Sequence, residues 1–175
     1  LFLFNDTAAT EIYALAPHAA LPILLVLGAA LAAGLAGCGS ALGCGVVGMA
    51  ASGVVSEDPN KFGRLLLLQA LPGTQGIYGL VALFMIINKF ASWGIEPAAV
   101  PLKTGIEILG AALPIGLTGL VSGLYQGKVC AAACSLVAKR PGEVGKGLVF
   151  GVVIETYAVL GLLATILLLQ RIVIG

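Results

Sequence analysis

Four apolar runs, each longer than the roughly 20 helical residues that cross a bilayer, leave this chain few folds to choose from. They cover residues 19–55, 63–88, 104–138 and 145–172, and the connectors between them are Ser56–Phe62, Asn88–Lys103 and Lys139–Val144. The first and third exceed the hydrocarbon thickness, so they are expected to project beyond it or to tilt. Of the 175 residues only 10% are charged and 59% are hydrophobic, whereas about a quarter of a soluble domain is charged. Lipid is the solvent such a chain requires. A net charge of +1 offers no basic face for nucleic acid. The 25 glycines lie inside apolar runs without a three-residue period, which indicates closely packed helices and not a collagen-like chain. Residues 1–16 (LFLFNDTAATEIYALA) start apolar but carry no basic region, so they are not read as an intact signal peptide. Residues 1–18 are expected to form an N-terminal segment outside the membrane.

The chain also repeats itself. Laid on itself so that Leu27-Gly-Ala-Ala-Leu31 falls on Leu109-Gly-Ala-Ala-Leu113, it places Gly34, Gly37, Ser40 and Gly45 on Gly116, Gly119, Ser122 and Gly127, and Pro59 on Pro141. Of the 61 positions from Leu27 to Ile87, 22 match without a gap. Each copy holds two helices, so both copies cross the membrane in the same sense, as parallel repeats about an axis along its normal. The fold expected is an all-α membrane protein of four transmembrane helices, arranged as two tandem hairpins: 19–90, a connector 91–104, and 105–175. Lys61 and Arg64 flank the first turn and Lys139, Arg140 and Lys146 the third, against Lys89, Lys103 and Arg171 at the other end. The positive-inside rule then puts the two short turns in the cytoplasm and both termini outside. Glycines four apart along the first helix of each copy suit backbones in close approach, within a bundle or in a ring of inner helices around a common axis.

Most acids lie in connectors or at helix ends; Glu155 lies deep in the last run, about 20 Å past Pro141 along a helix that rises 1.5 Å per residue. An ionised carboxylate there must be paired, protonated or bound to a cation. A protonated glutamate in a structural hydrogen bond is the plainer reading, and the polar residues at similar depth weaken it. Gln126 precedes the third turn by as much as Glu155 follows it, which sets the two at equal depth in a straight hairpin. Thr74 and Gln75 lie at matching depth past Pro59 in the first copy. Pro72 cannot donate a backbone hydrogen bond, which frees the Leu68 carbonyl and loosens the turn around Leu71. Tyr78 shares a helix face with Thr74 and Gln75. One carboxylate, two amide oxygens, a hydroxyl and a freed carbonyl make an all-oxygen shell for a hard cation, and the single carboxylate matches a single charge. A bare proton needs only the glutamate. The shell therefore points to sodium, with lithium expected to fit the same oxygens and proton carriage as the alternative. Glu155 corresponds to Gly73 and Gln126 to Cys44 in the first copy, so one carboxylate serves four helices.

Other features carry less. Cys38, Cys44, Cys130 and Cys134 lie in the small-residue helices with no histidine nearby, and read as packing residues. His18 reads as an interfacial side chain. No nucleophile–base pair, phosphate loop or organic cofactor motif is present, so the chain itself is expected to do no covalent chemistry.

The segments LPGTQGIYG, SGLYQGKV and IETYAVLG, with the hairpin repeat, resemble the duplicated proteolipid (K or c) rotor-ring subunit of V-type and A/V-type ATPases, most closely the prokaryotic sodium-translocating members. The resemblance covers residues 20–172. It implies a ring of identical subunits in the membrane, turned by the central-stalk subunits of an ATP-driven motor and facing a stator subunit with a membrane arginine. Carried over by position, Glu155 is the ion-carrying carboxylate, with Leu71 (through its carbonyl), Thr74, Gln75 and Gln126 as the other ligands and Tyr78 locking Glu155 by a hydrogen bond. The stretch before Pro17 and the proline-bearing connector, with Pro97 and Pro101, depart from the family pattern and lie away from the site. A small multidrug-type proton-coupled exporter and a glycine-helix pore-former are the alternatives from other classes. The first would be a compact dimer, and the second would conduct on its own.

Overall fold

The computed structural model describes residues 6–94 and 101–173, with side chains described from Ile23 onward. The side chain of His18, and Pro97, lie outside what is described. Helix α1 spans Asp6–Glu57, α2 Phe62–Ala70, α3 Thr74–Ala91, α4 Leu102–Lys139 and α5 Val144–Arg171. Among the described residues, four stretches are long and apolar enough to cross a membrane: Ile23–Glu57, Pro59–Ala91, Leu102–Lys139 and Pro141–Arg171. The second of these is α2 and α3 joined through a single tight turn.

Two boundaries differ from the sequence reading. Residues from Asp6 onward already belong to α1, so the segment expected before position 19 is helical from there; α4 starts at Leu102, inside the expected connector. With 52 residues α1 is about 78 Å long, and with 38 residues α4 is about 57 Å. Both exceed the hydrocarbon thickness, as their run lengths predict.

The short turns are built alike. Each outer segment opens on a proline at the first position of a one-turn 3-10 helix, Pro59–Lys61 and Pro141–Glu143, where the missing N–H has no partner to lose. The Asp58 side chain accepts from the Asn60 N–H at 3.1 Å, and that bond, more than the nearby Lys61, holds its carboxylate below the usual range. Lys61 Nζ reaches across to the Ala138 carbonyl at 2.8 Å, so both short turns lie at one end of the molecule.

Helices α1 and α4 form the inner pair, with α3 laid against α1, α5 against α4, and α2 against both. Glycine makes the inner contact possible. A β-carbon added to Gly43 would collide with the Gly123 carbonyl, and one added to Gly127 would collide with the Gly43 backbone. Two apolar clusters flank this seam, one around Ala32, Ile86, Ile108 and Ile115, the other around Val47, Leu65, Leu68 and Val137. Phe62, Phe84, Phe150 and Tyr157 are exposed, a surface that only lipid or another apolar chain can cover.

The parallel repeat survives as matched contacts. Gln126 Nε2 donates to the Gly151 carbonyl at 3.0 Å, and at the equivalent place in the first copy the Cys44 thiol lies 3.5 Å from the Gln69 carbonyl. Thr74 Oγ1 bonds the Leu71 carbonyl at 2.9 Å, and Thr156 Oγ1 bonds the Val153 carbonyl at 2.7 Å. Cys134 bonds the carbonyl of Cys130 in its own helix. Among the described residues no group of three or more His, Cys, Asp or Glu side chains could hold a metal.

Candidate ion-binding site

Helices α3, α4 and α5 converge on Gln75, Gln126 and Glu155. Proline sets up the first of them. Pro72 sits in the 3-10 turn Leu71–Gly73 and has no N–H to give the Leu68 carbonyl. The tightened turn directs the Leu71 carbonyl to the Thr74 N–H and to Thr74 Oγ1, at 2.9 Å for the hydroxyl. Leu71 and Thr74 thus present a carbonyl and a hydroxyl side by side at the start of α3. Gln75 follows and is fully buried at 0% exposure.

Gln126, also at 0% exposure, meets Gln75 across the interface, with Gln75 Nε2 donating to Gln126 Oε1 at 2.5 Å. Gln126 Nε2 is in turn held by the Gly151 carbonyl of α5. That leaves Gln75 Oε1 buried with no hydrogen-bond partner. Tyr78, one turn along α3, donates its hydroxyl to Glu155 Oε1 at 2.6 Å. Glu155 is half-buried and borders a shallow outer recess with Val152, Thr156, Val159 and Leu160.

The sequence-predicted residues are therefore neighbours in space, with one change in register. The equal-depth argument pairs Gln126 with Glu155; in the fold the Gln126 amide meets Gly151, one turn nearer the 141–143 turn, and Glu155 meets Tyr78. Gly151 escaped the sequence reading because its contribution is a backbone carbonyl. Its signal is spatial: a β-carbon there would press on Cys130 and Leu71. Lys128 was also passed over. Just beyond Gln126 in an apolar helix, it stands on the exposed face of α4 with its ammonium 4.7 Å from the Tyr125 ring centre, away from the face that carries Gln126.

The sequence model of the ATP synthase C subunit matches twice, over residues 27–86 and 109–168, which together are more than half of the chain and begin at equivalent points of the two repeats. The chain belongs to the ATP synthase C subunit family. Its relatives include the V-type sodium ATPase subunit K of Enterococcus hirae, 45% identical over 83% of this chain and 90% of that one. The A-type ATP synthase subunit K of Methanocaldococcus jannaschii is 44% identical over 84% of this chain and 62% of its own length. The 16 kDa proteolipid of the V-type proton ATPase of Nephrops norvegicus is 30% identical over 69% of this chain and 73% of its own. Within the family this chain is thus a duplicated member, and each matched segment coincides with one hairpin of the fold.

Proposed function

We propose that this chain is a rotor-ring subunit of a V-type or A-type rotary ATPase and that Glu155 carries sodium across the membrane as the ring turns. The observation that carries the sodium reading is Gln75 Oε1, an amide oxygen with no partner on a fully buried side chain. Leaving such a group unsatisfied costs about 1–3 kcal/mol. A proton on Glu155 gives one O–H donor, which would not satisfy Gln75 Oε1 and the neighbouring oxygens together. A cation between Gln75, Gln126 and Glu155 would, with the Thr74 hydroxyl and Leu71 carbonyl completing an oxygen shell. The sodium ATPase named among the relatives supports the same cargo.

The electrostatics supply the cycle. Where Glu155 faces lipid, its charge must be neutralised by bound sodium. Where its outer recess faces the stator, a fixed positive charge, the arginine expected there, competes for the carboxylate and releases the ion into an aqueous half-channel. Central-stalk subunits couple this exchange to ATP hydrolysis or synthesis on other chains. The two short turns then lie in the cytoplasm and the termini outside.

Labelling of Glu155 by a hydrophobic carbodiimide tests this reading. Sodium should slow the labelling at a pH where protons alone do not, and Glu57 and Glu107 should stay unlabelled. Labelling that follows pH but ignores sodium would make the cargo a proton and leave both glutamines as packing residues.

A further inference from the structure

We propose that the groove between α3 and α5, at the end of the molecule opposite the two short turns, binds the headgroup of an anionic phospholipid. The groove has a volume of about 300 Å³ and is lined by Met85, Asn88 and Lys89 of α3 and by Ile166, Leu169 and Gln170 of α5. An ammonium and two side-chain amides border it, all of them N–H donors, and no acid lines it. A lipid phosphodiester offers its negative charge and its two non-bridging oxygens to such a set of donors. A zwitterionic lipid would also bring an ammonium of its own toward Lys89, whereas phosphatidylglycerol brings none.

The end of α3 leaves these donors available. A lysine in the last turn of a helix often bonds the carbonyls that the helix leaves over. Here the N–H groups of Ser92, Trp93 and Gly94 take the carbonyls of Asn88, Phe90 and Ala91, and the Ser92 hydroxyl takes that of Lys89 at 2.6 Å. Gly94 closes this turn in the left-handed region, at φ 61°. The Lys89 ammonium is therefore not needed as a cap. The depth also suits a headgroup. That ammonium stands 5.8 Å from the centre of the Trp93 ring, which meets Phe90 edge-on at 6.1 Å. Tryptophan beside lysine at a helix end marks the membrane–water interface. Deeper in the membrane, Val81 and Phe84 of α3 and Leu163 and Leu167 of α5 are exposed, an apolar surface for acyl chains to cover.

The internal repeat gives an independent sign. In the register that lays Leu27 on Leu109, Asn88-Lys89 falls on Gln170-Arg171. Both outer helices thus end on an amide followed by a cation; the residues changed between the copies and their chemistry did not. A headgroup held between Lys89 and Gln170 ties α3 to α5 beyond the bond that Tyr78 makes to Glu155. The lipid is thereby a clamp on the two helices that carry the hydroxyl and the carboxylate of the ion site.

This inference needs the membrane-spanning fold and is independent of which ion is carried. Its test uses the full chain, purified in detergent in its native assembly. Dioleoylphosphatidylglycerol should stay bound in native mass spectra and raise the melting temperature more than dioleoylphosphatidylcholine does. Lys89→Gln and Gln170→Leu should each weaken retention of the anionic lipid about fivefold or more, the factor for one interfacial charge or one hydrogen bond. Lys89→Arg should keep it. Gln170→Leu leaves the net charge unchanged, so its effect separates a built site from general surface attraction. Lys103 lies at the same end but outside the groove, 3.6 Å from Glu107, and Lys103→Gln should change nothing. Equal stabilisation by the two lipids would overturn the proposal, and so would unchanged retention in both Lys89→Gln and Gln170→Leu. Stabilisation by glycerol phosphate alone, without acyl chains, would also overturn it, because the ligand would then be a free phosphate. Loss of a stator subunit from the intact complex in Lys89→Gln, with lipid retention unchanged, would assign the groove to protein and overturn it as well.

Discussion

Glu155 has one oxygen held by Tyr78 at 2.6 Å, while a buried oxygen of Gln75 waits unpaired one turn away. In the proposed site Tyr78 holds the carboxylate and Gln75 completes the cage, and their substitutions should separate accordingly. Glu155→Gln should abolish ion transport in reconstituted vesicles while circular dichroism shows unchanged helix content; retained transport would contradict the assignment. Gln75→Ala and Gln126→Ala should each weaken sodium protection of Glu155 roughly tenfold or more, the loss expected when a buried polar group worth about 1–3 kcal/mol goes unmatched. Tyr78→Phe removes a hydrogen bond but no proposed ligand. It should cost less affinity and speed ion exchange, read as faster release of radioactive sodium on dilution. The candidate residues stood out in the sequence because carboxylates and amides are rare in apolar helices. The Gly151 carbonyl did not, since a backbone acceptor leaves no mark on the sequence.

Among the elements, the interrupted second span and the glycine seam decide what the site can be. Pro72 separates α2 from α3 by a 3-10 turn and brings the Leu71 carbonyl beside Thr74. Pro72→Ala would allow the helix to run through, restoring a bond to the Leu68 carbonyl. The expected result is unchanged or higher thermal stability in detergent together with weaker sodium protection; equal protection would show that the turn contributes nothing to the site. The seam gives the opposite kind of prediction. Gly43→Val places side-chain atoms against the Gly123 backbone, and overpacking of this kind costs about 1–3 kcal/mol. Gly45→Val, with nothing within 4 Å inside the chain, should leave the isolated subunit's melting temperature nearly unchanged. The outer segments start at Pro59 and Pro141, a few residues before the apolar runs 63–88 and 145–172, because proline's lost N–H is harmless at a first helical position. The start of α1 was less legible: Asp6–Ala16 mixes polar and apolar residues, and composition alone does not separate a projecting helical turn from a connector.

For the whole molecule, the repeat was the most informative signal, since the single register that lays Leu27 on Leu109 gives topology, relative orientation and the unequal fates of the two copies. The contacts of Cys44 with Gln69 and of Gln126 with Gly151 carry that register into three dimensions. Which faces of α1 and α4 stay open could not be read from the sequence, because apolar and small residues occur on every face of these helices. The distinction appears only once the α1–α4 seam has used one set of glycines. The duplication also fixes a stoichiometry. Glu155 stands opposite Gly73 in the repeat, so each four-helix chain should carry a single ion. Equilibrium binding of radioactive sodium to the purified assembly measures this directly. The account predicts one sodium per chain, displaced by lithium and lost in Glu155→Gln. Two sodium ions per chain, or none at saturating sodium in a folded assembly, would contradict it.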